Sequence, residues 1–287
     1  MYKTMIVFAA LFLMHFSVLA DQVVEVVRSE IAPVVDGNED ALWSQVPEVI
    51  TSDSLADIDI TLKALYTDDQ IFFLVRFPDA TESREHKTLV WNPDLELYKV
   101  GSKREDVLVL KWHMGHTSVD LSLSAEQPYK ADIWYWKAHR TDHAGYADDK
   151  YQIYSHIAMP KSQPLVAKNG KIFYLARRGD QGVAAYEGQL QADYAKPEMP
   201  AFIFRKPEGS RGDVHAKGRW HEGYWTVEFS RLLSTGHADD VALDINHEYH
   251  FGVSRYEIAG RKPNPKVEQP NFGSGDITEN LILHFKQ

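Results

Sequence analysis

An apolar residue at every second position recurs along this chain, and that period leaves little but β-structure open to it. Leu108, Leu110, Trp112 and Met114 fall on one face of a strand expected over 106–116, with Val107, Val109, Lys111 and His113 on the other. Ile58, Ile60, Leu62, Ala64 and Tyr66 share a face, the polar run 67–70 turns the chain, and 71–77 returns it as a hairpin. Val119, Leu121 and Leu123 give 118–124 the pattern of a partner strand. Val214, Ala216, Gly218 and Trp220, then Trp225, Val227 and Phe229 beyond a turn at 221–223, make a second strong hairpin. Further strands are expected at 22–28 (an edge), 248–256 and 281–285. A short helix begins at 39–43 with Asn38 as its N-cap. The fold class that follows is all-β: an antiparallel β-sandwich with short peripheral helices. Between about 150 and 207 the prolines Pro160, Pro164, Pro197 and Pro200 break long elements. That stretch is expected to be a long irregular insertion over one end of the sandwich, with one strand at 171–175.

The first twenty residues have a different logic. Lys3 precedes an apolar run from Met5 to Leu19 that is too short to span and stay in a bilayer, and Val18-Leu19-Ala20 supplies a small residue at the cleavage position. Residues 1–20 are expected to be a secretory signal peptide cleaved after Ala20, and 21–287 a single exported, periplasmic domain with no transmembrane segment. The chain carries 31 Lys and Arg against 41 Asp and Glu, a formal charge of −10. That balance argues against nucleic acid or an anionic membrane as partner, since both need basic patches. There is no cysteine, so disulfides, thiolate metal sites and covalent c-type haem, which needs Cys-x-x-Cys-His, are all excluded. Any metal must be held by His, Met, Lys, Tyr or carboxylates, or arrive inside a cofactor.

Met114, ending an apolar row, is either filler for an irregular gap or a soft ligand offered to a metal in an apolar cavity. Trp134 and Trp136, two apart, project to one side of a strand, as core or as a binding wall. The polar run after them carries His139 and His143. No nucleophile elbow, His-Glu-x-x-His or Ser/His/Asp order points to a hydrolase.

Two resemblances sharpen this. The opening, an Asp36-Gly37 turn with Trp43 downstream and then a hairpin, resembles family 9 carbohydrate-binding modules, which implies a β-sandwich. The block from Asp132-Ile133-Trp134 through Trp136-Lys137-Ala138, Arg140-Thr141-Asp142 and Ala144-Gly145-Tyr146-Ala147-Asp148-Asp149, with Trp112 and Met114 upstream, resembles the haem-binding domain related to the ethylbenzene dehydrogenase gamma subunit, the cytochrome c-552/DMSO reductase-like haem-binding domain. That likeness implies a periplasmic electron-transfer protein or subunit, not an enzyme, holding one non-covalent haem b between a methionine and a lysine. Met114 falls on the methionine position, and Trp112, Asp132, Trp134, Trp136 and Arg140 on the block near the cofactor. Lys262, after the 248–256 strand, is the best match to the lysine, with Lys266, His250 or a histidine of the 139–143 loop as alternatives. The implied partner is a redox protein, a molybdenum oxidoreductase or a c-type cytochrome. The competing function is carbohydrate binding, with Trp134, Trp136, Trp220 and Trp225 stacking on sugar rings.

Overall fold

A computed structural model describes residues 22–54, 57–255 and 276–286. Its strands are β1 (Gln22–Arg28), β2 (Val49–Asp53), β3 (Ile58–Tyr66), β4 (Gln70–Pro78), β5 (Leu89–Asn92), β6 (Leu97–Val100), β7 (Val107–His113), β8 (Tyr129–Lys137) and β9 (Asp148–Ser155). There follow β10 (Gln163–Val166), β11 (Ile172–Gly179), β12 (Tyr186–Gly188), β13 (Glu198–Met199), β14 (Phe202–Phe204), β15 (His215–His221), β16 (Tyr224–Leu232), β17 (Tyr249–Ser254) and β18 (Leu281–Phe285). The helices among the described residues are short 3₁₀ turns.

Thirteen of these strands form one sheet in the order β10-β11-β9-β8-β7-β17-β18-β1-β3-β4-β16-β15, with β2 alongside β3. The sheet folds over on itself. Phe73 on β4 lies 5.4 Å from Trp112 on β7 and 5.9 Å from Trp134 on β8, and Trp136 on β8 lies 4.9 Å from Trp225 on β16, although neither β7 nor β8 neighbours β4 or β16 in the sheet. The chain is therefore an all-β sandwich, and its core is the alternating apolar set of both layers. Leu108, Leu110, Trp112, Phe73, Val75, Phe77, Val227, Phe229 and Phe251 all pack there. Burying aromatic side chains of this size dominates core energetics.

The β15–β16 hairpin turns through Glu222 (φ 48°) and Gly223 (φ 83°), the paired positive φ that matches strand twist. Within β15, Gly218 lies against the Trp136 ring: a Cβ there would fall 2.3 Å from Cζ2. Gly218→Ala is therefore expected to overpack the core and cost about 1–3 kcal/mol, read as a lowered thermal midpoint.

Four local expectations change. β1 is not an edge: it lies between β18 and β3 and is parallel to both, so the sandwich is mixed at this point. The 3₁₀ turn spans Ala41–Gln45 with Asp40, not Asn38, as the cap, its carboxylate accepting from the Leu42 N–H at 2.8 Å. Residues 118–124 form no strand. Val119 and Leu121 are buried in a second apolar cluster with Ile133, Tyr154 and Phe173, while the Leu121 and Leu123 N–H groups are taken by the side chains of Asn280 and Asp276. The stretch 150–207 is more regular than its prolines suggest, because β9, β10 and β11 extend the main sheet.

The Asp36-Gly37 turn and Trp43 are held by one carboxylate. Glu228 accepts from the N–H groups of Asp36 (2.9 Å) and Gly37 (2.8 Å) and from Trp43 Nε1 (2.9 Å), and Gly37 sits at φ 82°.

Candidate functional site

β7 ends in a group of soft and borderline donors. Met114 follows the strand half-buried, its N–H donating to the Lys130 carbonyl at 3.0 Å. Below it Trp112 is fully buried, stacked on Phe251 with centroids 4.4 Å apart and 5.2 Å from the Trp134 ring. The Trp112↔Phe251 register puts His250 beside His113 on the opposite face from Trp112. The His116 and His247 rings lie 6.3 Å apart. Burial pushes the His113 imidazole down, helped by His250 and His116 and opposed by a backbone hydrogen bond with Thr117. Trp112 Nε1, His113 Nδ1 and His250 Nδ1 are buried nitrogens with no hydrogen-bond partner. Unsatisfied buried polar atoms are uncommon in folded proteins. His113 and His250 lie across the sheet from Met114, which shares parity with Trp112; what Met114 offers at the end of the apolar row is a single soft donor of the kind haem iron takes.

The other residues of the sequence-derived set do not all gather here. Asp132 pairs with Trp112 across β7–β8, and its Oδ2 accepts from Arg231 Nη1 (2.6 Å) and the Val241 N–H (3.0 Å). Trp134 is fully buried beneath the Arg231 guanidinium, 4.7 Å away. Trp136 pairs with Leu108, six residues along the strand from Met114, or about 20 Å. There its Nε1 donates to Asp142 Oδ1 at 2.9 Å. Arg140 is farther on, paired with Glu105 and stacked over Tyr186. His139 and His143 pack on Phe204 in the same region. The structure thus brings Met114, Trp112, Asp132 and Trp134 into one half of the sandwich and leaves Trp136, Arg140 and the loop histidines in the other. Lys262 and Lys266 lie outside the described residues. Trp134, Trp136 and Trp225 are fully buried and present no face to a sugar; Trp220 is half-buried.

Sequence reasoning missed a second group. Asp132, Asp149 and Asp180 come from β8, β9 and the end of β11, three neighbouring strands, and Asp240 comes from the loop after β16. Arg231, on β16, is the cation that meets them: it bonds Asp132 and lies 3.9 Å from Asp240. Burial, then the neighbouring Asp132 and Asp240 charges, raises the Asp149 carboxyl well above the usual range. Burial and then Asp132 and Asp239 push Asp180 to about 8, and burial pushes Asp240 to about 7 against the pull of Arg231. A signal was available. Arg231 shares parity with Trp225, Val227 and Phe229, and Asp132 with Trp134 and Trp136, so charged residues stood on buried faces.

Next to Asp149, Asp148 points the other way, into cations. Burial disfavours its charge, but Lys137, Lys150 and Arg211 outweigh that and hold it well below the usual carboxylate range. Burial lowers Lys137 to about 8.

The fold defines an all-β sandwich protein, with the Met114 thioether half-buried just beyond β7. The chain belongs to the ethylbenzene dehydrogenase family, whose profile, described as "Ethylbenzene dehydrogenase", matches residues 40–260. No curated protein matches the chain. Among solved structures, a family 9 carbohydrate-binding module from Caldicellulosiruptor kristjanssonii in complex with glucose aligns with a TM-score of 0.37 at 11% identity, covering 92% of this chain and 96% of the module. The same organism's module in complex with cellotriose aligns at 0.36 and 10%, covering 93% and 95%.

Proposed function

We propose that this chain is a periplasmic b-type haem-binding electron-transfer protein or subunit, with Met114 as one axial ligand and Lys262 as the other. The observation that carries the reading is Met114 itself: a half-buried thioether at the end of an apolar row, following the Trp112–Phe251 stack, where the buried Trp112 Nε1 lacks a hydrogen-bond partner. Family membership over 40–260 supports it, and with no cysteine in the chain the haem is held without a covalent tether. When bound, the haem supplies one-electron oxidation and reduction. The protein's part is to donate sulfur from Met114, exclude water with Trp112, Phe251 and Trp134, and hold the Lys262 amine unprotonated.

That last task is demanding. Keeping a lysine of reference pKa about 10.4 neutral at pH 7 costs about 4.6 kcal/mol, which the metal bond must offset. Reach permits the pairing. Ser254 lies opposite Val109, five residues or about 17 Å from Met114, and the eight residues on to Lys262 span at most about 28 Å. His250 is the alternative already at the Met114 end. Two protein ligands leave no open position for substrate or oxygen, which fits electron transfer to a partner such as a molybdenum oxidoreductase or a c-type cytochrome. The residues 1–20 read as the export address.

Titrating the protein with haemin tests this. A saturable spectral change at one haem per chain, with no carbon monoxide shift in the reduced form, is expected. A linear, unsaturated response overturns the reading.

A further inference from the structure

We propose that Asp132, Asp149, Asp180 and Asp240 form a buried site for a divalent cation of the calcium type. Side-chain oxygens of Asp132, Asp149 and Asp240 all lie within 4.8 Å of one another, and all three residues are buried. Asp132 spends Oδ2 on Arg231 and the Val241 N–H, and Asp240 spends Oδ2 on the Thr235 hydroxyl. Asp149 is aimed into the group, fully buried, with no hydrogen-bond partner on either carboxylate oxygen. Asp180, likewise buried, has both oxygens unpartnered, and its carboxyl meets that of Asp149. Counting Asp132 Oδ1 and Asp240 Oδ1, the latter 3.9 Å from Arg231 Nη1, six buried oxygens accept no N–H or O–H hydrogen bond.

Among the described residues the four carboxylates share one guanidinium, that of Arg231, which meets Asp132 and Asp240 directly, so the cluster fully ionised would carry an excess of three negative charges. Burying ionised carboxylates without compensation is costly. Either protons or a cation must supply the balance, and the raised carboxyls of Asp149, Asp180 and Asp240 state that deficit in the absence of a cation. The donors are all oxygen, the ligand type calcium takes, with Asp132, Asp149 and Asp240 converging, Asp180 beside Asp149, and waters able to complete the six to eight. No imidazole or thioether belongs to this set, so soft metals are disfavoured. Magnesium demands near-octahedral geometry and keeps several waters, which a cluster closed by Arg231 and Val241 accommodates poorly. The sheet supplies the rigidity: Asp149 pairs with Trp134 across β8–β9, two residues from Asp132. This inference stands apart from the haem reading and does not depend on it.

The test uses the full mature chain after EDTA treatment, titrated with Ca2+ by calorimetry and followed by thermal unfolding. One Ca2+ per chain is expected, with the midpoint raised by about 5 °C at a hundredfold excess over Kd and a weaker response to Mg2+. Asp149→Asn should weaken calcium binding at least about tenfold. Its metal-free midpoint should equal or exceed that of the metal-free wild type, because the amide is neutral without having to take up a proton. Asp180→Asn, at the margin of the cluster, repeats the comparison should the first variant fail to fold. Absence of saturable uptake and of any calcium-dependent midpoint in the wild type overturns the proposal and leaves a proton-sharing cluster. So does a full calcium response in both variants.

Discussion

Arg231→Ala is expected to destabilise the metal-free protein by about 3–5 kcal/mol at pH 7, the range for breaking a buried pair by removing one partner. Arg231 is fully buried, donates to Asp132 Oδ2 at 2.6 Å and to the Val241 carbonyl, and is the cation facing Asp149 and Asp240. Without it the carboxylates face only one another. The loss should depend on pH. The carboxyls of Asp149, Asp180 and Asp240 titrate above the unfolded value in the folded chain. Between about pH 4 and pH 8 the folded state therefore binds more protons than the unfolded, and the cluster's contribution to stability falls as pH rises. Urea unfolding of variant and wild type in EDTA at pH 5 and pH 8 checks both points. The expected deficit is larger at pH 8. A deficit under about 1 kcal/mol at both values contradicts the role given to Arg231.

Met114→Ala is expected to abolish the low-spin spectrum of the haem-loaded protein by removing one axial bond. Lys262→Ala should do the same, whereas Lys266→Ala and His250→Ala should leave it nearly unchanged. Acidification separates the ligand types. A lysine ligand is lost as its amine takes a proton, while an imidazole holds to values several units lower on the reference scale. Visible absorption across an acid titration of wild type and variants reads this directly. Loss of the spectrum in His250→Ala with retention in Lys262→Ala reassigns the second ligand to the strand beside β7. Retention in Met114→Ala makes Met114 filler.

Both hairpins were legible because two signals agreed in each: period-two alternation, and turn residues able to take the turn, such as Glu222-Gly223. The central place of β1 was not, since alternation fixes which face a residue takes and not which strand lies beside it. Residues 118–124 alternate because they lie along the outer face of β7 and β8, yet their N–H groups go to Asp276, Asn280 and Asp120, which no local pattern announces. Met114 was legible as the end of a buried row. The block from Asp132 to Arg140 looked like one site but runs the length of a strand, so its members line both halves of the sandwich. The acidic cluster escaped because Asp149, Asp180 and Asp240 have no common spacing; only the sheet order brings them together.

The optical spectrum of the full chain matured in a haem-replete periplasm decides whether this sandwich carries haem. A sharp Soret band with a six-coordinate low-spin pattern is expected, one haem per chain, all of it extractable into acid-acetone because no cysteine tethers it. A colourless protein that also fails to take up haemin contradicts the haem reading.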